Sequence, residues 1–264
     1  MTVEEIRVTS WTELTERLYE RSWAEPIARF RPNFAFRGLS DASHDLKTGL
    51  IRLGGTAERF EGHLIRNFRK YAQRNSAPTD SIWDWLALGQ HHGLPTRLID
   101  WTYSPYVAMH FATARLDNFD IDGIIWAIDF GLANLLLPDK LKAVLQEEGS
   151  YTFTAEMLNR VATSLSEFDR LSADEFVIFF EPPSLDDRIV NQFALFSLMS
   201  SSTARLDLWL TQHAELCRKI IIPSELKWEV RDKLDQANIT ERVLLTGLDG
   251  LSSWLKRYYT PRTK

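Results

Sequence analysis

The chain has 264 residues, 44% of them apolar and 25% charged, a balance typical of a folded globular protein. Its net charge of −5 excludes a protein that is basic overall, so we expect nucleic acid as a partner only through a local patch. The single cysteine, Cys217, excludes an internal disulfide framework and a cysteine-rich zinc site. We expect it to be an inert buried thiol, because an apolar strand follows it.

The N-terminus is acidic and amphipathic, and it lacks the basic and apolar regions of a secretory signal. The longest apolar runs, such as Gly-Ile-Ile-Trp-Ala-Ile, are far shorter than the roughly 20 residues that span a bilayer. We therefore expect a cytoplasmic protein with no membrane partner. The sequence leaves the oligomeric state open.

Helix and strand signals alternate over the first third of the chain. Ser10 and Glu13 form a capping-box pattern in front of an amphipathic helix. Pro32 interrupts the chain, and residues 34–38 have the pattern of a strand that ends at glycine. Apolar residues at helical spacing then predict a long helix at about residues 57–74.

The middle of the chain contains two further helices around a strand. Asp80 is expected to cap a helix that ends at Gly93, and residues 94–101 resemble a buried strand. Ser104 and Pro105 then provide an N-cap and a first-turn proline for the next helix.

The second half of the chain mixes both kinds of element. Strands are predicted over residues 123–130, 175–181, 193–199 and 217–223. Helices are predicted near residues 138–147 and 154–168, after a cap at Ser224, and over residues 250–259. Because the elements follow no strict βαβ rhythm, we predict an α+β fold.

Several common enzyme motifs are absent. The chain has no phosphate-binding loop of the G-x-x-x-x-G-K-[ST] type, no G-x-G-x-x-G after a strand, no G-x-S-x-G and no H-E-x-x-H. The sequence therefore lacks the main support for assignment to four enzyme classes: Walker-type ATPases, Rossmann dehydrogenases, α/β-hydrolases and zincins.

The histidines of the chain favour a metal site only weakly. His91, His92 and Asp100 come close together, but imidazoles that are adjacent in sequence usually point in different directions. His110 lies among apolar residues, where a buried histidine is commoner than a ligand. We expect no metal site. One predicted helix also has a basic face, which we interpret as solvated: Arg66, Arg69, Lys70 and Arg74.

Three polar clusters interrupt apolar strands, where a buried polar group is costly. The first is Arg37, between Phe36 and Gly38. Its guanidinium suits a phosphate or a carboxylate, and the glycine lets a ligand approach the backbone. The alternative is a structural ion pair with a buried aspartate such as Asp100.

The second cluster extends over residues 90–102 and the third over residues 188–192. In the second, Arg97, Asp100 and Thr102 alternate with apolar residues, so a strand would present some of them on one face. Three tryptophans flank this cluster, and we expect part of this aromatic group to wall a site: Trp83, Trp85 and Trp101. The third cluster follows a strand ending at Glu181, a further candidate acid, and contains Arg188, Asn191 and Gln192.

These residues resemble those of FRG-domain proteins, a family named for its Phe-Arg-Gly motif. The resemblance rests on Phe36-Arg37-Gly38, on the long block over residues 89–102, and on the helix that starts at Ser104-Pro105. It implies an FRG domain over residues 30–255, preceded by a helical extension over residues 1–29 and followed by a tail over residues 256–264.

A more distant resemblance is to the ADP-ribosyltransferase fold. In those enzymes an aromatic-Arg-Gly strand helps to hold NAD, and a Ser- or Thr-bearing strand precedes a helix like the one after Ser104. The resemblance implies one domain with a central, mostly antiparallel split sheet surrounded by helices. The third motif of that fold usually holds a Glu, where this chain offers Gln192 or, less favourably, Glu181.

The resemblance also implies roles for individual residues. The candidate catalytic residues are Arg37, Gln192 and Glu181. The candidate residues for binding NAD, which would be a substrate, are Arg37, Gly38, His91, His92, Asp100, Trp101, Thr102, Ser104 and Arg188. Trp101 or Tyr103 would stack on the nicotinamide.

Two functions follow as hypotheses. One is an NAD-using ADP-ribosyltransferase or glycohydrolase-like enzyme. The other is a non-catalytic module on the same scaffold that binds a nucleotide or a protein, with host defence as one setting. The missing Glu motivates the second hypothesis, because Gln can hold a ribose hydroxyl but cannot supply the negative charge that stabilises a developing cation.

Overall fold

The computed structural model describes residues 3–72 and 76–262. Its strands are β1 (Glu4–Arg7), β2 (Trp23–Ala24), β3 (Arg29–Phe30), β4 (Phe34–Leu39), β5 (Leu98–Thr102), β6 (Gly123–Asp129), β7 (Val177–Phe180), β8 (Ala194–Met199) and β9 (Cys217–Ile222).

Its helices are α1 (Trp11–Tyr19), α2 (Gly49–Arg52), α3 (Ala57–Tyr71), α4 (Ile82–His91), α5 (Pro105–Ala112), α6 (Phe130–Ala133), α7 (Asp139–Glu148), α8 (Ala155–Val161), α9 (Leu165–Asp169), α10 (Asp187–Asn191), α11 (Leu206–Gln212), α12 (Ser224–Gln236), α13 (Glu241–Leu244) and α14 (Gly247–Tyr258).

Seven strands form one sheet in the order β1-β9-β6-β4-β5-β8-β7, and β2 and β3 form a separate two-stranded hairpin. Only β1 and β9 run parallel; the other neighbours in the sheet are antiparallel. The α+β prediction is confirmed, as is a mostly antiparallel sheet. The sheet is continuous but weakest in its middle, where β4 and β5 share only the pair Phe36–Thr102.

Buried residues pack on both faces of the sheet. Ala35, Trp101 and Phe179 belong to the core on one face. The other face carries two cores, one around Phe36 beneath α1, α5 and α12, and one around Phe196 beneath α4, α7 and α8. These two cores lie on either side of the β4–β5 boundary, because Phe36 is on β4 and Phe196 is on β8.

The helix predicted over residues 154–168 is two helices, α8 and α9. Its periodicity continues across the break, but local polar bonds end one helix and start the next. The Ser164 hydroxyl accepts a hydrogen bond from the backbone of Glu167, and the Glu167 carboxylate accepts one from the backbone of Thr163. The Ser164 bond caps α9, and the Glu167 bond fixes the residue in front of the cap.

Two predicted caps also differ from the structure. Ser81, not Asp80, caps α4 by accepting from the backbone of Trp83 and Asp84. Asp80 instead accepts a hydrogen bond from the indole of Trp85. Ser224 is the first residue of α12 rather than its cap. Ser104 caps α5 with Pro105 in its first turn, as the sequence predicts.

The N-terminal segment is not only helical. β1 pairs with β9 at the edge of the main sheet, and its residues are mostly exposed. An exposed edge strand carries little apolar periodicity, which explains why the pattern of residues 1–29 indicated helix alone. At the other end, α14 continues to Tyr258, three residues into the predicted tail. No helix in the described ranges is long and apolar enough to cross a membrane.

Candidate functional site

A cavity of about 490 Å³ opens where β4 and β5 separate. From Phe36–Thr102 onwards the two strands no longer pair, so the backbone of β5 faces open space. The cavity lies between α5 and α4, and α10 borders it. We call it the cleft. It is lined by most of the predicted site residues: Arg37, Gly38, His91, Asp100, Trp101, Thr102, Arg188 and Gln192.

Arg37 bridges the gap between the strands. Its Nη1 donates to the backbone oxygen of Asp100 at 2.5 Å, in place of the missing ladder bond. The Asp100 carboxylate lies 3.8 Å away, and the Arg37 side chain is 27% exposed. Nε of Arg37 is buried without a partner in the described part of the chain. Arg37 and Asp100 are therefore within ion-pair distance, as the alternative expects, but Asp100 is exposed rather than buried and no hydrogen bond joins the two charged groups. The guanidinium lines the cleft.

Burial lowers the pKa of Arg37, and the neighbouring guanidinium of Arg52 lowers it further, while Asp100 raises it. An arginine remains protonated in proteins despite such shifts. Arg37 is therefore a partly desolvated cation with unused hydrogen-bonding capacity, which favours the binding of an anion.

A chain of hydrogen bonds fixes Asp100. Nε2 of Gln90 lies 3.0 and 2.9 Å from the two carboxylate oxygens of Asp100. Oε1 of Gln90 accepts from the Thr96 hydroxyl at 2.6 Å. That hydroxyl accepts from the backbone N–H of Leu98 at 3.0 Å. The residue block over 89–102 thus builds a rigid frame around the carboxylate.

Gly38 lines the cleft and is also required for packing, a second role that the sequence did not predict. A Cβ at this position would overlap the backbone oxygen of Ala108 and lie 2.7 Å from the backbone nitrogen of Ala112, both on α5. The close approach at Gly38 is therefore made by the helix. In the Phe-Arg-Gly triplet, Phe36 fills the core, Arg37 reaches the cleft and Gly38 seats α5.

Thr102 and Gln192 connect β5 to the segment that borders the cleft. The Thr102 hydroxyl donates to the backbone oxygen of Gln192 at 2.7 Å and accepts from the backbone of Ser104 at 2.9 Å. The Gln192 amide donates to the backbone oxygen of Leu244 at 2.9 Å. Both polar groups thus hold structure in place. Ser104 caps α5 and does not line the cleft.

His91 and His92 lie at the end of α4 with their rings edge to face, 5.1 Å between the ring centroids, but they have different surroundings. Nε2 of His91 lies 2.8 Å from the Asp186 carboxylate, which also caps α10. His91 therefore ties α4 to α10 across one side of the cleft. His92 is exposed and is not part of the lining. Gly93, with φ of +80°, ends the helix as predicted.

Glu181 lies outside the cleft lining. Its carboxylate accepts from the Tyr103 hydroxyl at 2.8 Å and from the Thr152 hydroxyl at 3.3 Å. Burial raises the pKa of Tyr103, and the bond to Glu181 raises it further. The structure brings neither Glu181 nor Tyr103 to Arg37.

Only one of the three tryptophans lines the cleft. Trp83 and Trp85 lie on the buried face of α4, and neither lines the cavity. Trp101 is in the lining but is 3% exposed, and its indole donates to the Ser197 hydroxyl. The aromatic ring with partial exposure in the lining is Phe111, at the end of α5.

The strongest feature that the sequence did not indicate is the charge of the cleft. Within the described residues, four arginines line it against one carboxylate, Asp100; the arginines are Arg37, Arg52, Arg115 and Arg188. Arg52 is paired with Asp45 at 2.9 Å. Arg115 and Arg188 are exposed and have no ion pair within the part of the chain that the structure describes. Single arginines such as Arg52 and Arg115 carry no local motif, so only the fold brings them together.

His110 and the basic residue Arg69, which the sequence also singles out, have partners within the protein. No group of three metal-ligating side chains occurs among residues 3–72 and 76–262. His110 is buried with Nη1 of Arg231 at 2.9 Å from its Nδ1, and burial lowers its pKa to about 3. Arg69 pairs with Asp80 at 2.5 Å. Arg74, on the same basic helix pattern, lies outside the described residues.

Comparison with known proteins supports part of the resemblance. The family model of the FRG domain matches residues 32–120. That segment includes Arg37, Asp100 and Thr102, whereas Arg188 and Gln192 lie beyond it. No curated protein and no solved structure matches the chain. The FRG domain is thus supported over residues 32–120, and the wider limits of residues 30–255 stay a prediction.

Proposed function

We propose that the cleft binds a nucleotide-type small molecule through its phosphate groups, with NAD as the first candidate. The observation that carries this proposal is the excess of arginines over carboxylates around the cavity. Planar guanidinium groups match the oxygens of a phosphate, and they attract it most strongly where water is partly excluded. A volume of about 490 Å³ is within the usual range for small-molecule sites.

The lining also suits the rest of a nucleotide. Within the described residues Arg37 is bonded only through Nη1, and Arg188 has no ion pair, so Nη2 of Arg37 and the Arg188 guanidinium can bind an anion without breaking an existing bond. Phe111 offers a partly exposed ring against which a base can pack. The sites of charge and of aromatic surface thus lie in one cleft.

Catalysis by an ADP-ribosyltransferase or NAD glycohydrolase is the second candidate, and the resemblance to that fold belongs with it. One observation favours it: Asp100 places a carboxylate in the cleft, where the expected Glu is missing. Neither Gln192, whose amide is bound to Leu244, nor Glu181, which lies elsewhere, serves this role well. Asp100 is therefore the group that would stabilise a developing positive charge on a ribose.

Calorimetry with NAD tests the proposal. We expect wild type to bind, with weaker binding at high salt because the main attraction is between charges. Arg188→Ala should weaken binding about tenfold or more, since a hydrogen bond to a charged group contributes about 1.5–3 kcal/mol. Arg29→Ala is the control, because Arg29 is an exposed arginine of the β2–β3 hairpin and does not line the cleft.

A nicotinamide-release assay separates the two candidates. Binding without release supports a binding module, whereas release that Asp100→Asn abolishes supports the enzyme. Absence of binding to NAD, to ADP-ribose and to inorganic pyrophosphate at millimolar concentration would overturn the proposal.

A further inference from the structure

The Asp100 carboxylate makes no hydrogen bond to a guanidinium, although several line the same cleft. A carboxylate in such a position normally forms a short, hydrogen-bonded ion pair with one of them. Here the nearest guanidinium, that of Arg37, is 3.8 Å from the carboxylate and donates instead to the backbone oxygen of the same residue. The Asp100 side chain is 58% exposed and lines the cleft.

Gln90 explains why the contact between Arg37 and the Asp100 carboxylate stays at 3.8 Å and does not shorten to a hydrogen bond. Its Nε2 lies within 3.0 Å of both carboxylate oxygens of Asp100 and so holds the carboxylate in place. The Thr96 hydroxyl donates to Oε1 of Gln90, which fixes the amide with its nitrogen towards Asp100. Gln90 thus competes with Arg37 for the carboxylate without adding a charge.

The bonds to Gln90 leave part of the carboxylate unused. An ionised carboxylate has about four acceptor positions, and one amide nitrogen has only two N–H groups. Asp100 therefore keeps free acceptor positions. Among the described residues that line the cleft, it is the only one whose side chain accepts hydrogen bonds but cannot donate them. The arginines around it make the cleft unfavourable for a cationic ligand. A neutral group with two adjacent donors fits the remaining positions.

We propose that Asp100 determines the specificity of the cleft by accepting hydrogen bonds from two adjacent donors of the bound nucleotide, and that Gln90 is the positioning residue that keeps it open. The donors are either the two hydroxyls of a ribose or two neighbouring N–H groups on a base edge. This inference rests on the proposed nucleotide function and adds the chemistry that selects among nucleotides.

Four nucleoside diphosphates distinguish the two sources of donors in competition calorimetry. ADP and 2′,3′-dideoxy-ADP differ in the ribose hydroxyls. GDP and inosine diphosphate differ in the exocyclic amino group beside the ring N–H. We expect wild type to bind either ADP or GDP about ten- to hundredfold more tightly than the other member of its pair, the range for hydrogen bonds to a charged acceptor.

Two variants test the residues. In Asp100→Asn we expect that preference to fall to near one, because an amide has a single acceptor atom, while affinity for the weaker ligand is kept or raised by loss of the negative charge. Gln90→Leu should reduce the same preference by letting Asp100 close on Arg37. In the Asp100→Asn background Gln90→Leu should change nothing further. Asp187→Asn is the matched control, since Asp187 is an exposed acid on α10 outside the lining.

The outcomes are separable. Equal wild-type affinity for both members of each pair overturns the inference, as does a preference that survives in Asp100→Asn. An effect of Gln90→Leu that persists in the Asp100→Asn background overturns the positioning role, because a merely structural residue would act in both. Failure of wild type to bind any of the four diphosphates or inorganic pyrophosphate is a failure of the proposed function itself.

Discussion

Replacing Gly38 by alanine should destabilise the protein, although alanine is usually well tolerated in a strand. Gly38 does not have a positive φ, so its requirement is one of space. The added Cβ would overlap the carbonyl oxygen of Ala108 and approach the backbone nitrogen of Ala112 to 2.7 Å. Both atoms belong to the backbone of α5, so no side-chain rotation relieves the overlap, and the helix must move away from β4.

The magnitude follows from two opposing effects. Forcing an extra carbon into a packed core costs about 1–3 kcal/mol, and a clash with backbone at two points falls at the upper end. Alanine recovers about 0.4–1 kcal/mol by restricting the unfolded chain. We therefore expect a loss of about 2 kcal/mol in the free energy of unfolding, which corresponds to a decrease in Tm of about 4–8 °C for a chain of this size.

Guanidinium denaturation followed by circular dichroism measures this change, with Gly62→Ala as the control. Gly62 lies within α3, and a Cβ there meets nothing within 4 Å. Alanine in a helix is favoured over glycine, so the control should be about 0.5–1 kcal/mol more stable than wild type. A Gly38→Ala variant as stable as wild type would refute the argument that α5 needs this glycine.

Three further outcomes are expected. Arg97→Met should lower the free energy of unfolding by about 3–5 kcal/mol in a denaturation experiment, because buried Arg97 donates to Glu61 at 2.6 Å and to Asp169 at 2.5 Å. A decrease below about 1 kcal/mol would contradict a stabilising buried ion triad. Burial lowers the pKa of His110 to about 3, whereas the histidine of the unfolded chain binds a proton near pH 6.5, so the free energy of unfolding should decrease as the pH falls below about 6.5. His110→Gln should lose this pH dependence, and a variant with the wild-type profile would contradict it. Burial raises the pKa of Cys217 to about 12, so a disulfide reagent at pH 8 should modify the thiol slowly in the native protein and rapidly in denaturant; equal rates would show that the thiol is accessible.

Most of the fold follows from local patterns, but the exceptions are instructive. Buried strands such as β6 have continuous apolar runs, and α5 has its own cap and proline, so the sequence identifies both. β1 has an exposed edge and too few apolar residues to show a period. The break between α8 and α9 depends on hydrogen bonds of Ser164 and Glu167, which compete with an uninterrupted helical pattern.

The sequence motifs predicted several residues that line the cleft. Arg37, Asp100 and Thr102 meet in one cleft because β4 and β5 are neighbours, although their sequence distance is large. The sequence did not separate residues that face a ligand from those that hold the cleft together, as Thr102 does. The cost of burying a polar group identifies residues of both kinds, because both place a polar side chain in an apolar strand.

The positive charge of the cleft was not predictable. It depends on Arg52 on α2 and Arg115 in the loop after α5, which look like ordinary surface residues in the sequence. The net charge of −5 even suggests the opposite sign. Local electrostatics of this kind arises from three-dimensional arrangement, and average composition hides it.

The most direct test of the central claim is a crystal structure of the protein with NAD at millimolar concentration. The account predicts NAD in the cleft between β4 and β5, with phosphate oxygens within hydrogen-bonding distance of Arg37 or Arg188. NAD bound at another place, or a cleft that holds only water at saturating NAD, would contradict it.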